Sequence, residues 1–508
     1  MTVRFPLTSG REMDRHLDLS AEICVIGSGA GGAVLAAELS GAGWDVVVLE
    51  QGPYFTSDGF TAKPLEMSRK MYADAGMTVA IGNPGLPIPY ARAVGGTTVI
   101  NSGTCFRLPA AAREKWRRQT GVAFEDAQLD GCFDRVEEVL HVAPAEWDLI
   151  GRVAHRVATG ARALGLHPRP IRRNAKGCLG CGVCAFGCQK DAKMAMHVSY
   201  LPRAAASGAR IFSDARVEKV VVRGGRAAGV EGRFRGRHGR RVRFRVRAPV
   251  VAVCGGALAS PTFLRANGIR GRGGDVGLHL AVHPATKAIG VFDEDLVPWE
   301  GIPQSMYIDD LQDEGILFEG ASVPPDFGSM GIPLVGAEHR EMMDRYRSLG
   351  IFGLMVSDAS EGRVASGFGK PVPFYSVGRA DAAKALRGIA LLAEMFFEGG
   401  AREVLAPVTG FERLRTRDDV ARLRRESDRI HPNRIEFIAF HPTGTCRMGS
   451  DPARSVVGPW LECHELAGLF VVDGAVFPSS PGVNPQETIM GLATRTADWL
   501  GANRARYV

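Results

Sequence analysis

Short apolar runs separated by glycine turns and helical stretches organise this chain. Near its start, Ile23, Val25 and Ile26 form one β-branched run and Val46 to Leu49 form another, and the intervening AVLAAELSGAG reads as a helix of small residues. That order predicts strand, turn, helix, strand. Residues 53–90 are rich in Gly, Pro and Met, and IGNPGLPIPY reads as a loop placed to act as a lid. Residues 111–170 read as amphipathic helices with Arg113, Lys115, Arg117 and Arg118 on a solvated face. Strands return at Arg210 to Phe212, Val217 to Val222 and Ala227 to Val230. In RVRFRVR, Val242, Phe244 and Val246 alternate with arginines as in a half-buried strand. PVVAVCGGALASPTFLRANGI then adds a buried strand, a Gly255-Gly256 turn and a helix, with Arg265 in an otherwise apolar run.

Between residues 286 and 434 the pattern is weaker. Strands at Lys287 to Val291 and Ile351 to Val356, the loop SVPPDFGSMG and a helix from Ala380 to Glu398 fit a separate sheet-and-helix unit. Glu300, Glu319 and Asp358 read there as solvated or loop-capping charges. The C-terminal part reads as a strand, RIEFIAF, ending at His441, a strand from Leu469 to Val472, a loop with Asp473, and a helix from Pro485. Asn484 is placed as its N-cap, with Glu487 completing a capping box.

The turn after the first strand, Gly27-Ser28-Gly29-Ala30-Gly31-Gly32, changes this picture from topology to chemistry. A GxGxxG turn between strand and helix, with an acid about 20 residues on, is the dinucleotide fingerprint. Gly27 permits the tight turn, Gly29 lets backbone approach a pyrophosphate, and Gly32 lets the helix lie against the strand. The helix N-terminus offers free N–H groups and a partial positive charge to phosphate. Glu50, at the end of the second strand, is placed to accept ribose hydroxyls. The competing reading is a glycine-rich turn with no ligand, and the fingerprint leaves NAD and FAD equally open.

Composition narrows the class further. The 508 residues are 45% apolar with a formal charge of +7, enough for two to four domains and too weakly basic for a nucleic-acid protein. Aromatic residues at 7% leave few stacking platforms for single strands. Arg233 to Arg247 holds eight arginines, read as a solvated hairpin or as a docking face for an acidic redox partner or an anionic membrane surface. No run of apolar residues is long enough to span a bilayer, and the first twenty residues have no signal-peptide core. The expectation is a cytoplasmic protein, with peripheral membrane contact left open.

Cys178, Cys181, Cys184 and Cys188 form CxxCxxCxxxC, interleaved with Gly177, Gly180, Gly182 and Gly187. This is the spacing of a bacterial iron–sulfur run, although Gln189 stands where a proline usually follows and no second run is present. An iron–sulfur cluster, a structural cysteine loop (reduced or disulfide-linked) and a zinc site all remain open.

AVGGTTVIN, at Ala93 to Asn101, together with the opening fingerprint, resembles the glucose-methanol-choline (GMC) family of FAD-dependent oxidoreductases, and HPTGT and GVNPQETI at the C-terminal end match that family's catalytic pair. The resemblance covers roughly residues 20–110, 178–285 and 435–500, and the cysteine-bearing segment is similar to that of long-chain alcohol and cholesterol oxidases. It implies an α/β fold: a discontinuous Rossmann-like FAD-binding domain built from 1–110, 200–285 and 435–508, a helical and cysteine-rich insertion at 111–199, and an α+β substrate-binding domain at 286–434. It implies FAD, held by Gly27, Gly29, Gly32, Glu50, Gly95, Gly96, Thr97, Thr98, Asn101, Val217, Asp473, Gly474 and Pro485. Ile100 stands where some members bear a flavin-linking histidine, so the FAD is expected to be non-covalent.

The reaction implied is oxidation of an alcohol by hydride transfer to flavin N5, with His441 as general base and Asn484 orienting the same oxygen. The expected substrate is an apolar small-molecule alcohol, and the electron acceptor is oxygen or an unidentified redox partner. Alternatives are a dehydrogenase passing electrons through a Cys178 to Cys188 cluster to a protein or quinone, acting on a sugar, and a lyase of the same fold.

Overall fold

The computed structural model describes residues 2–320, 322–367 and 369–508. The predicted opening unit is present: strand Ile23–Ile26, helix Ala30–Gly41 and strand Val46–Leu49, with the two strands paired in parallel. They lie at the centre of a six-stranded parallel sheet in the order Thr8–Ser9, Arg210–Ser213, Val46–Leu49, Ile23–Ile26, Val250–Val253 and Leu469–Val471. Three of these strands come from beyond residue 200, so the sheet is closed by chain that is distant in sequence. Val46–Leu49 and Val250–Val253 are buried throughout, as expected for parallel strands covered on both faces. Helix Ala30–Gly41 packs between helix Tyr200–Ala206 and the C-terminal helix Gln486–Ala502.

A second sheet of four strands carries the arginine-rich segment. Ala215–Arg223, Arg226–Arg235 and Arg241–Arg247 form an antiparallel meander, and Leu17–Ser20 adds in parallel at the edge. Arg241–Arg247 alternates exposed arginine with buried Val242, Phe244 and Val246 as predicted. Arg245 pairs with Glu231 across the strands and Arg247 with Asp18, so part of the arginine face is already neutralised within the molecule.

The third body is a seven-stranded antiparallel sheet running from Arg413–Leu414 through Glu403–Leu405, Ala285–Val291, Leu349–Val356, Ile316–Gly320 and Met306–Ile308 to Arg169–Pro170. Helix Arg379–Glu398 lies against it and packs on helix Arg152–Ala163. The segment 111–199 is therefore divided: Arg152–Ala163 and Arg169–Pro170 join this sheet, whereas helix Asp126–Leu140 packs on Gln486–Ala502. Arg113 departs from its expected solvated position. It is buried, with its guanidinium donating to Asp126, Asp130 and the Leu108 carbonyl, because helix Ala110–Thr120 turns that face toward Asp126–Leu140. Within 53–90 the chain forms a short helix, Pro64–Met71, and the expected loop at 81–90 includes one arm of a two-stranded hairpin, Val79–Ala80 with Leu86–Pro87.

Candidate active site

The glycine turn is as tight as its sequence demands. Gly27 has φ +102°, and a Cβ there would overlap the Cys254 carbonyl; a Cβ on Gly32 would overlap the Gly27 carbonyl. Gly96 crosses the turn so closely that its Cβ would sit 2.7 Å from the Gly29 Cα. Helix Ala30–Gly41 begins after Gly29 with no side-chain cap, leaving its first N–H groups free. Glu50 is buried, accepting from the Ser28 amide (3.0 Å), the Ser28 hydroxyl (2.8 Å) and the Gly52 amide (2.7 Å); burial raises its pKa, with those donors opposing. Ser28 Oγ in turn accepts from the Gly95 amide at 3.0 Å, tying the loop before Gly96 to the fingerprint.

The other expected cofactor residues surround this turn. Thr98 Oγ1 donates to the Gly95 carbonyl, Thr97 Oγ1 accepts from Ala91, and Asn101 donates to Gln486 at the start of the C-terminal helix. Val217 is buried at a bulge two residues after Ala215, whose amide bonds the Glu50 carbonyl. Asp473 accepts from the Gly256 amide (2.8 Å), Ser260 (2.5 Å) and the Ala475 amide (2.8 Å), and the Gly474 carbonyl accepts from Gly444. A cradle of glycines, uncapped helix N–H groups and a buried carboxylate at the strand end fits an adenine dinucleotide.

Asn484 does not cap the C-terminal helix. The helix starts at Gln486, Pro485 sits at its N-cap with φ −84° and ψ −10°, and no side chain bonds the first turn. Glu487 does not complete a capping box; it is buried against Glu137 and Arg107, and burial with the neighbouring Glu137 carboxylate raises its pKa. Asn484 is thus free for another role. Its Nδ2 lies 3.4 Å from His441 Nε2 and 3.4 Å from Glu319 Oε1, while Asn484 Oδ1 and Glu319 Oε2 have no hydrogen-bond partner.

His441 follows an extended segment that makes isolated bridges, Val408 with Ile435 and Ala285 with Ile438, and Ala281 bridges Thr443 just beyond it. The last two bridges run the segments His283-Pro284 and His441-Pro442 antiparallel, and the two histidine rings meet edge to face with Nδ1 atoms 3.2 Å apart. Burial lowers the pKa of His441 well below its ordinary value, with His283 adding to the effect, and burial pushes His283 down to about 3. His283 adopts φ +50°, a left-handed conformation that is costly for a residue with a Cβ. It is held there by buried Asp358, which accepts from the amides of Val282 (2.9 Å) and His283 (3.3 Å) and from Tyr375 (2.8 Å).

Glu319 is buried and is neither the solvated nor the loop-capping charge its sequence context indicates; Asp358 is buried too but does cap a loop, at Val282 and His283, and His283 itself is not evident in the sequence. His-Pro also occurs at His167-Pro168 and His431-Pro432, so nothing in the sequence pairs His283 with His441. Glu319 shares strand Ile316–Gly320 with Leu317, which clusters with Met355 and Val483 beside Phe106 and Tyr307. The side chains around Asn484 and Glu319 therefore form an apolar wall. Burial raises Glu319 to about 7, and the long bond from Asn484 only partly offsets it.

The four clustered cysteines do not form a ligand set. All ten cysteines are free thiols, and among the described residues no three His, Cys, Asp or Glu side chains are gathered to hold a metal ion. Instead Arg173, buried, donates to Cys184 (3.4 Å) and Cys178 (3.7 Å), and the Lys193 amide donates to Cys188 (3.5 Å). Buried Lys193 Nζ binds the carbonyls of Val99, Asn101 and Cys184, so this loop braces the segment that crosses the glycine turn. All four cysteines line one cavity with Arg173 and Lys193, and no electron step of the substrate reaction is routed through them.

Fold and site together combine a Rossmann-like parallel sheet, a glycine cradle that fits a dinucleotide, and a buried imidazole and carboxamide 3.4 Å apart. GMC oxidoreductase family models match residues 68–285 and 358–493, and a model of the NAD(P)-binding Rossmann-like domain matches 25–84. An uncharacterised GMC-type oxidoreductase of Mycobacterium tuberculosis is 40% identical over 94% of this chain and 75% of its own length. A long-chain-alcohol oxidase of Arabidopsis thaliana is 25% identical over 94% of this chain and 67% of its own. The formate oxidase of Aspergillus oryzae, in a structure whose subject is FAD modification, superposes with a TM-score of 0.72 at 13% identity, covering 96% of this chain and 99% of that one. The chain belongs to the GMC oxidoreductase family and is an oxidoreductase acting on a small molecule. Among the described residues no helix is long and apolar enough to cross a membrane.

Proposed function

We propose that this protein oxidises an apolar alcohol with non-covalent FAD. The observation that carries the reading is that His441 Nε2 and Asn484 Nδ2 lie 3.4 Å apart, with Val483, next to Asn484 in the chain, clustered with Leu317 and Met355. Family membership supports FAD, and the long-chain-alcohol oxidase relative supports an apolar hydroxyl substrate. Gly27 and Gly32 would shape the turn so that backbone N–H groups at Gly29 and the uncapped helix start donate to the pyrophosphate, Glu50 would accept from the adenosine ribose, and the Val94–Asn101 loop would run beside the flavin. When bound, the flavin supplies a two-electron acceptor for the carbinol hydride.

The chain's own side chains do the rest. The apolar wall holds the hydrocarbon and excludes water, and His441 with Asn484 positions the hydroxyl oxygen so that its carbon faces the acceptor. Anaerobic titration with fatty alcohols, sterols, aryl alcohols and sugars tests the reading through the flavin absorption band. Bleaching by apolar alcohols is expected. His441→Ala should retain FAD while reduction slows by about 10²–10⁴; an unchanged rate removes His441 from the chemistry.

A further inference from the structure

Arg173 and Lys193 are buried cations that line the cavity of the four cysteines. Arg173 donates from Nε (3.1 Å) and Nη2 (2.8 Å) to the Ser102 carbonyl, from Nη1 to Cys178 Sγ (3.7 Å) and from Nη2 to Cys184 Sγ (3.4 Å). Lys193 Nζ donates to the carbonyls of Val99 (2.9 Å), Asn101 (2.5 Å) and Cys184 (2.9 Å). Among the described residues neither cation is paired with a carboxylate, and the groups of opposite sign that act on both are the thiols. Two uncompensated charges are costly to bury. A guanidinium N–H can only donate, so Cys178 and Cys184 both accept, a role that a thiolate fills better than a thiol.

We propose that Cys178 and Cys184 are a peroxide-responsive pair that closes to a disulfide. One guanidinium holds both sulfurs, whereas Cys181 is exposed and Cys188 accepts from the Lys193 main-chain amide. The oxidant is hydrogen peroxide, and the cavity, with about 20 Å³ of open volume, has a space of that size class. The Cys184 sulfur attacks one peroxide oxygen, the O–O bond breaks and hydroxide leaves. The Cys178 sulfur then attacks the sulfenic acid at sulfur, and the second oxygen leaves as water. Peroxide gains two electrons and, with the two thiol protons, becomes two waters; the thiol pair is oxidised by the same two electrons. Oxygen as the electron acceptor of the enzyme would generate this oxidant within the same molecule.

A disulfide carries no charge, so closing it leaves both cations unbalanced at once. These cations tie the thiol loop to the carbonyls of Val99, Asn101 and Ser102, just after the Gly95-Gly96 step that crosses the glycine turn. Oxidation at sulfur is thereby transmitted to the cofactor cradle, and the oxidised protein should release FAD faster.

The test uses the full chain loaded with FAD, treated with hydrogen peroxide and then with dithiothreitol. Two thiols per chain should disappear, and differential alkylation with fragment mass spectrometry of the tryptic peptide 177–190 should assign them to Cys178 and Cys184. Flavin fluorescence should show FAD release faster by about tenfold or more in the oxidised protein, the scale of losing one charged donor, with both changes reversed by dithiothreitol. Cys178→Ser and Cys184→Ser should each hold FAD as the reduced wild type does and ignore peroxide, and Arg173→Met should oxidise more slowly. A pair other than Cys178 and Cys184, oxidation that dithiothreitol does not reverse, or a Cys184→Ser protein that releases FAD after peroxide as the wild type does overturns the proposal. So does an oxidised wild type whose FAD release is unchanged. Should a variant fail to fold, the peptide map and release rate of the wild type, before and after dithiothreitol, decide alone.

Discussion

His283 and His441 meet Nδ1 to Nδ1 at 3.2 Å, although 158 residues separate them in the chain. One of the two must donate, and the Gly482 amide on the far side of His283 decides which. The orientation of the site's imidazole is thus set by a ring that itself has no contact with Asn484 or Glu319 among the hydrogen bonds described.

Replacing His283 should therefore disturb the chemistry without emptying the cofactor site. His283→Leu removes the donor to His441 and the acceptor for Gly482, leaving buried groups unpaired at about 1–3 kcal/mol. Expressed in the transition state, this is a loss of about 5–150-fold in anaerobic reduction rate. FAD content should match the wild type, and His441 should become a mixture of tautomers by ¹⁵N NMR.

Gly31 was not among the expected cofactor glycines, yet a Cβ there would overlap the carbonyl oxygen of Val472 and crowd Asp473. It is the point where the first helix touches the last strand of the parallel sheet. Gly31→Ala must push these apart, and the expected result is loss of FAD and a fall in melting temperature. Gly41→Ala, on the same helix with open space around it, should be neutral or stabilising by both measures.

Lys193 holds the carbonyls of Val99, Asn101 and Cys184 while desolvation lowers its pKa to about 8. Lys193→Met keeps the stem and abandons all three acceptors, costing about 1.5–3 kcal/mol for a charged donor and loosening the loop beside the glycine turn. FAD dissociation, followed by flavin fluorescence, should accelerate. Iodoacetamide should modify Cys181, the exposed thiol of the four, before buried Cys184 in the wild type, and the gap between them should narrow in Lys193→Met.

His197 is buried with neither ring nitrogen bonded, and its pKa is lowered to about 3, chiefly by desolvation and then by Lys193. A histidine kept neutral in the fold binds fewer protons than in the unfolded chain between pH 3 and about 6.5. Its contribution is therefore complete above about pH 6.5 and is lost as pH falls, at up to about 1.4 kcal/mol per unit. Thermal melts of His197→Phe and wild type should agree near pH 8 and separate toward pH 5, with the variant more stable there. Equal acid sensitivity of the two proteins would remove His197 as a source of acid lability.

Local periodicity and spacing made much of this protein legible. The run from Ile23 to Glu50 carries its strand, turn, helix and strand in its own residues, because each contact that forms them is between near neighbours. RVRFRVR shows its alternation for the same reason, as do the helices between residues 110 and 163. The match of HPTGT and GVNPQETI to a family pair pointed to His441 and Asn484.

What only the tertiary structure decided concerns groups whose chemistry depends on what lies across from them. Glu319 and Asp358 read as solvated or loop-capping because a carboxylate in a weak pattern usually is; sheet pairing buries Glu319 beside Asn484, and Asp358 caps the loop at His283 from a buried position. Asn484 satisfies every local rule for a helix cap, yet the helix begins two residues later and its amide is spent on His441 instead. The four cysteines keep ligand spacing along the chain, but a buried arginine and lysine enter their loop from elsewhere and take its polar contacts. Spacing is written in the chain; burial and the partner across a gap come into being only when distant segments meet, and protonation follows from those two.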